Sequence, residues 1–237
     1  MNIINFNGRS DGIGNRIEQL IYLNNFCKKH NKICNYYWNN TNARKDRKYD
    51  ISINFSNMVI QDKKKHNRRF RHPKLYKYRK NLELNDYNFK FGIPDIESET
   101  FFAIHIRSTD RISKKMNGDF IDKQTFKKCL EKSIYLANKS SGKNIYICGD
   151  SNKYIEYITS KIKNKNILKC ETKIDNVSNE WIDFYYLTKA YKIIMCSRYS
   201  SFSSTASILG NSKLISFFDE RDTSLNRLKA NVIVDKI

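Results

Sequence analysis

Through the C-terminal half of the chain, short apolar runs alternate with amphipathic stretches. Phe101–Ile106 is rich in aromatic and β-branched residues and reads as a strand that runs on to Arg107. Lys123–Asn138 carries Phe126, Leu130, Ile134 and Ala137 along one helical stripe. Asn144–Gly149 is a strand, Lys153–Ile162 a helix with Ile155, Ile158 and Ile162, and Asn166–Cys170 a short strand. Glu180–Tyr191 is a helix with Trp181, Phe184, Leu187 and Tyr191 turned inward. The strand Ile193–Ser197, the short helix Ser203–Leu209 and the strand Leu214–Phe218 complete the series. Strands alternating with helices at these lengths predict a parallel sheet covered on both faces. Right-handed crossovers make this half Rossmann-like.

The N-terminal part starts in the same way and then loses its period. Asn2–Phe6 reads as a strand, and the turn from Asn7 to Arg16 contains Gly8, Gly12 and Gly14, which would let the backbone approach a ligand and expose amides at a helix start. The spacing of these glycines is not that of the dinucleotide fingerprint. A helix should follow from about Asn15 to Lys29 on Ile17, Leu20, Ile21, Leu23, Phe26 and Cys27, and Ile33–Trp38 reads as a second strand. Beyond it no period is legible until Gly92-Ile93-Pro94-Asp95, a break that predicts a reduced lobe over 1–95 and a larger one over 96–237.

Composition adjusts this picture without overturning it. The formal charge of +20 points toward an anionic ligand, a nucleic acid or a charged surface, but lysine is abundant throughout the 237 residues. The basic run Lys63–Lys80 has no acidic residue and interleaves Phe70, Tyr76 and Tyr78, so it reads as a solvated segment that could also stack on bases or sugars. No stretch approaches the roughly 20 apolar residues of a membrane span, and no basic segment followed by an apolar run opens the chain. The expectation is a soluble, cytoplasmic protein. Cys27, Cys34, Cys129, Cys148, Cys170 and Cys196 fall singly and mostly in apolar segments, as buried thiols do, and not in the spacing of a zinc site or disulfide framework.

The chemistry gathers where strands end. In an open α/β sheet ligands bind outside the carboxyl ends of the strands, and Phe101–Ile106 leads there into Arg107, Asp110 and Arg111. An arginine fork donates two parallel bonds to diphosphate oxygens, and Asp110 would keep the two cations from splaying apart. The turn Ser197–Thr205 sets serines, Arg198 and free amides between a strand and a helix, which favours an anion.

His105-Ile106-Arg107-Ser108-Thr109-Asp110-Arg111 resembles the H-x-R-x-x-D-[KR] motif of the fucosyltransferase superfamily, especially its α1,6 and related α1,2 members. Asp183 to Ala206, with Ser200-Ser201-Phe202, is similar to that superfamily's last motif, and Gly12-Ile13-Gly14-Asn15-Arg16 followed by Leu20 to its glycine loop. The resemblance implies a GT-B-like enzyme with two Rossmann-like lobes that moves fucose from GDP-fucose to a glycan hydroxyl, with inversion and without metal or other cofactor. By position, Arg107 would hold the β-phosphate and stabilise the departing diphosphate. His105 and Asp183 would address the nucleoside, Asp150 would lie near the base, and Ser200, Ser201 and Phe202 would bind pyrophosphate. Gly12, Gly14, Asn15, Arg16, Asp110 and Arg111 would join the substrate-binding set.

The chain departs from the family where a glutamate shortly after the motif is a candidate base, because Lys114 and Lys115 stand there. Asp119 is the nearest carboxylate downstream and the expected catalytic base, with Asp11 and Glu18 as rivals. The acidic cluster Asp219-Glu220-Arg221-Asp222 reads as a solvated turn and not as a metal site. Two other readings stay open, a basic nucleic-acid-binding protein using Lys63–Lys80 and a transferase fold that binds nucleotide without turnover. The transferase reading expects no stable nucleic-acid complex and leaves peripheral contact with an anionic surface open.

Overall fold

The structure of the protein is a computed structural model and describes residues 2–41, 43–45, 48–62, 78, 86–91, 101–114, 118, 120–168, 177–219 and 231–237. The chain divides into two compact units, Met1–Pro94 with Lys173–Ile182, and Asp95–Thr172 with Asp183–Ile237. Of the expected features, Cys170, Asp119, Lys115, most of Lys63–Lys80 and the break at Gly92–Asp95 lie outside the described residues.

In the first unit, β1 (Asn2–Asn7), α1 (Ile13–Lys29) and β2 (Lys32–Tyr37) form a parallel β-α-β crossover, and β4 (Met58–Gln61) adds to β2 in parallel, giving the order β1-β2-β4. The apolar stripe expected of α1 is buried from Ile13 through Cys27. Two short strands, β3 (Ile53–Phe55) and β5 (Tyr87–Phe89), pair antiparallel. None of β3, β4 or β5 was anticipated, because three or four residues are too few to show a period of two. Trp38, expected as the end of the second strand, lies just past it. It is fully buried, donates its indole N–H to the Tyr49 carbonyl at 2.8 Å and stacks on Trp181.

The second unit is a doubly wound α/β layer. In chain order it contains β6 (Phe101–Ile106), α2 (Lys123–Lys139), β7 (Asn144–Gly149), α3 (Asn152–Lys161), β8 (Asn166–Leu168), and α4 (Asn179–Lys189), whose first turn is counted with the first unit. There follow β9 (Lys192–Cys196), α5 (Ser201–Leu209), β10 (Lys213–Ser216) and β11 (Asn231–Val234). All strands are parallel, in the order β11-β10-β9-β6-β7-β8. β6 is buried at every position, which is why its sequence is an unbroken apolar run and not an alternation. Phe102, Ile104 and Ile106 from β6 join Phe126, Leu130, Ile145, Ile158 and Ile194 in the core. Asp122 caps α2 by accepting from the Thr125 amide at 2.9 Å.

Several features differ from expectation, among them the end of β10 at Ser216 and not Phe218. β11, unanticipated, extends the sheet beyond β10. α5 starts at Ser201, two residues early. Tyr191 is not an inward helix residue: α4 closes at Lys189, the Tyr191 amide bonds to the Phe101 carbonyl at 3.1 Å, and its side chain is 37% exposed. Cys27, Cys34, Cys129, Cys148 and Cys196 are free and buried, and burial pushes the Cys196 thiol up to about 12. Among the described residues no helix is long and apolar enough to cross a membrane.

Candidate functional site

In the second unit the chain builds outward from β6 through β7 to β8, then returns to place β9 on the other side of β6 and continues to β10. The order therefore reverses between β6 and β9, the kind of switch point at which open α/β sheets bind ligands. Those loops are Arg107–Arg111 after β6 and Ser197–Ser200 after β9, the latter opening α5.

His105, the fifth residue of β6, ties the two loops together. Its Nδ1 lies 2.5 Å from Ser203 Oγ, and its ring stacks on Phe202 at 5.1 Å, while Phe202 meets Phe184 edge-on at 5.1 Å. Burial, with the Arg107 charge second, pushes the His105 pKa down to about 3, so the imidazole is neutral at physiological pH. It is an uncharged strut between β6 and α5.

Arg107 follows on the exposed side of the same strand end. Asp110 accepts from its Nε at 2.9 Å and its Nη2 at 2.8 Å, a bidentate clamp that leaves Nη1 without a partner among the described residues. Arg111 Nε lies 3.7 Å from Asp110 Oδ1, the oxygen that also accepts from Arg107 Nε, so one carboxylate serves two cations. Burial raises the Asp110 pKa, but the hydrogen bond and charge of Arg107, with Arg111, outweigh it and hold the carboxyl below its usual range.

Asp150, at the end of β7, is committed to the Arg107 loop. Oδ1 accepts from the Ser108 amide and hydroxyl, both at 2.8 Å, and Oδ2 from the Thr109 amide at 3.1 Å and hydroxyl at 2.8 Å. Burial works against its ionisation, yet these four donors hold its pKa down. Asp150, which the resemblance places near a base, braces the loop through these four short bonds. Gly149 is what permits this closeness, since a Cβ there would lie 2.6 Å from the Ile106 carbonyl oxygen. Ser108 and Thr109 went unnoticed as functional residues, though two hydroxyls directly after one strand, facing Gly-Asp after the next, are a legible signal.

The serine turn is more divided than its composition suggests. Ser204 Oγ donates to the Ser200 carbonyl at 2.8 Å, Ser203 is bonded to His105, and both are fully buried, so neither hydroxyl faces an anion. Arg198 is buried as well, its guanidinium 5.9 Å above the Phe218 ring. These corrections leave the site Ser200, which precedes α5 and makes no side-chain cap bond, with Ser201, Phe202 and the first amides of the helix. Asp183, in α4, accepts a 2.6 Å bond from the Tyr146 hydroxyl of β7, and Tyr146 stacks on Tyr186 at 4.4 Å.

The glycine loop belongs to the first unit. Gly8 serves packing, because a Cβ would meet the Tyr36 ring at 2.4 Å and the Tyr37 carbonyl oxygen at 2.6 Å. Gly12 borders open space and precedes α1, which begins with Gly14 and the half-buried Asn15 in its first turn. Arg16 is fully buried. It donates to the Asp11 carbonyl at 2.7 Å and to Asn40 Oδ1 at 2.8 Å and lies 4.8 Å over Trp38, so it organises the loop and is not presented to a ligand. Of the rival carboxylates, Asp11 is gripped by Arg9 at 2.5 Å, and Glu18 is buried and takes the Tyr22 hydroxyl. Among the described residues no group of three or more His, Cys, Asp and Glu could hold a metal ion.

No protein-family model matches the chain, and no curated protein does. Solved structures do resemble it. NodZ α1,6-fucosyltransferase soaked with GDP-fucose aligns with a TM-score of 0.55 and 9% identity, over 93% of this chain and 96% of that one. NodZ co-crystallised with GDP aligns with a TM-score of 0.55 and 12% identity over 92% and 95%. Selenomethionine fucosyltransferase NodZ from Bradyrhizobium aligns with a TM-score of 0.56 and 12% identity over the same shares. At such identities the likeness is one of fold, and the fold is α/β and GT-B-like, with the parallel sheet in its C-terminal unit.

Proposed function

We propose that the protein is a fucosyltransferase-like glycosyltransferase that moves fucose, or a related sugar, from a GDP-linked donor to a glycan hydroxyl, with inversion and without a metal ion. The observation that supports this most is the junction at the sheet's switch point. A clamped, partly exposed Arg107 and the uncapped start of α5 are joined there through neutral His105.

In this reading the acceptor oxygen forms its bond to the anomeric carbon as the bond from that carbon to the diphosphate oxygen breaks, and GDP departs with the electron pair. Arg107, through Nη1, and the α5 amides stabilise the charge growing on the diphosphate. Asp110 and Asp150 pre-set the guanidinium, so little reorganisation accompanies the step. The acceptor proton passes to a carboxylate, for which we propose Asp119, since Asp11 and Glu18 are engaged elsewhere. That engagement also motivates a second reading, a fold that holds nucleotide without turnover.

Calorimetry with GDP, GDP-fucose, GDP-mannose and UDP on the wild type and Arg107→Ala tests the proposal. Selective binding of the GDP species, lost by roughly a hundredfold or more in the variant, is expected. Absence of any binding overturns it and turns attention to Lys63–Lys80. Binding without transfer to any glycan, with or without chelator, favours the second reading.

A further inference from the structure

The second unit separates its charges along the strand direction. Among its described acidic residues, Asp110, Asp150, Asp219 and Asp235 follow the carboxyl ends of strands, and Asp122 caps the start of α2 on that side. Asp183 bonds Tyr146 at the middle of β7, and Glu131 and Glu156 lie within helices. None stands at the amino ends of the strands. Lysines do.

Helix ends account for part of this. Lys139, Lys161 and Lys189 close α2, α3 and α4, where a cation complements the helix dipole, and Lys165 Nζ donates to the Ser140 and Gly142 carbonyls. Lys143, Lys163 and Lys213 have no such explanation, and Lys192 Nζ lies 5.6 Å over the ring of Tyr191 on the same edge. Lys192 and Lys213 are register partners on neighbouring strands, an arrangement of like charges that weakens a sheet. The side chains of Lys143, Lys163 and Lys213 are exposed, and among the described residues no carboxylate pairs with any of the four. The face is continuous. Tyr191, before β9, has its hydroxyl 3.5 Å from Ser140 Oγ after α2, and the Lys163 amide bonds to Asn138 at 2.8 Å. Asp95, Glu97 and Glu99 precede β6 outside the described residues, and the eight lysines outnumber them by five.

Two tyrosines punctuate this face, Tyr135 at 55% exposure and Tyr191 at 37%. Lysines that reach outward beside half-exposed tyrosines suit a flat anionic boundary, where the cations meet headgroups and the amphipathic rings settle among them. A single-stranded nucleic acid would be better served by a groove.

We propose that the amino-terminal edge of the six-stranded sheet is a docking surface for an anionic lipid bilayer. The chain then sits peripherally, and the six residues of β6 hold the Arg107 edge about 20 Å from the lipid. This surface is independent of the sugar-nucleotide reading.

The test is co-sedimentation of the full chain with vesicles of phosphatidylcholine alone and of phosphatidylcholine and phosphatidylglycerol in equal parts, at low and high salt. The wild type is compared with a variant carrying Lys143→Gln, Lys163→Gln, Lys192→Gln and Lys213→Gln, and with a charge-matched variant carrying Lys63→Gln, Lys64→Gln, Lys65→Gln and Arg68→Gln. Each lysine near an anionic surface contributes roughly fivefold in partitioning, so the edge variant, which removes four, should lose roughly several hundredfold if the contributions add. The charge-matched variant should stay near wild type, binding should weaken with salt, and uncharged vesicles should not bind. Tyr135→Ser, a change on an exposed side chain, should weaken binding severalfold and keeps the test open if the quadruple variant misfolds. Failure of the wild type to bind anionic vesicles overturns the proposal. So does equal loss in the charge-matched variant, or tighter binding of a single-stranded RNA oligonucleotide that depends on the same four lysines.

Discussion

Replacing Asp150 tests whether one carboxylate organises the Arg107 loop. Its side chain is 15% exposed and takes four donors, two each from Ser108 and Thr109. Asp150→Ala would strand the Ser108 amide and hydroxyl in a buried position, at about 1–3 kcal/mol for each unsatisfied group, whereas Thr109 is exposed and can turn to water. The expected loss is therefore about 4 kcal/mol. Asp150→Asn keeps one carbonyl oxygen for Ser108 and turns an NH2 toward the Thr109 donors, so about 2 kcal/mol should go. Denaturant unfolding measures both, and amide exchange should show protection lost first at Ser108 and Thr109. The folded-state pKa of Asp150 is depressed, so its contribution is present above the unfolded value near 4 and disappears as pH falls through the folded one. The gap between wild type and Asp150→Asn should accordingly narrow in acid. An Asp150→Ala protein within about 0.5 kcal/mol of wild type, with unchanged exchange at Ser108 and Thr109, would refute the reasoning.

Three further outcomes are expected. With a folded pKa of about 3 against roughly 6.5 unfolded, His105 lets the unfolded chain bind a proton first, so stability falls by about 1.4 kcal/mol per pH unit from pH 6.5 downward; His105→Gln should flatten that limb, and the wild-type imidazole should show no titration by NMR between pH 5 and 8. Gly149→Ala sets a Cβ 2.6 Å from the Ile106 carbonyl oxygen and should destabilise the second unit by about 2–3 kcal/mol, read as a lowered unfolding midpoint; a midpoint equal to wild type would show that β6 and β7 can move apart there. If the protein is a transferase, Asp119→Asn should lower kcat by roughly 100-fold or more with KM little changed, and an unaltered kcat would remove Asp119 from the mechanism.

Periodicity was enough for the larger elements. Apolar runs of five or six residues and stripes such as Phe126, Leu130 and Ala137 reflect burial that every βαβ layer demands, so the alternation from β6 to β10 was readable before any contact was known. The strand ends bearing Arg107 and Ser200 were readable for the same reason, since a parallel sheet presents its carboxyl ends to ligand. Strands of three or four residues such as β3, β5 and β11 form because a neighbour supplies the hydrogen bonds, and that neighbour is distant in sequence. Side-chain roles were likewise decided in space. Ser203 faces His105 across 98 positions, Asp150 meets Thr109 across 41, and Arg16 disappears beneath Trp38. A serine, an aspartate and an arginine look alike in sequence whether they hold a ligand or hold the chain, because the choice depends on which donors and acceptors the fold brings within 3 Å.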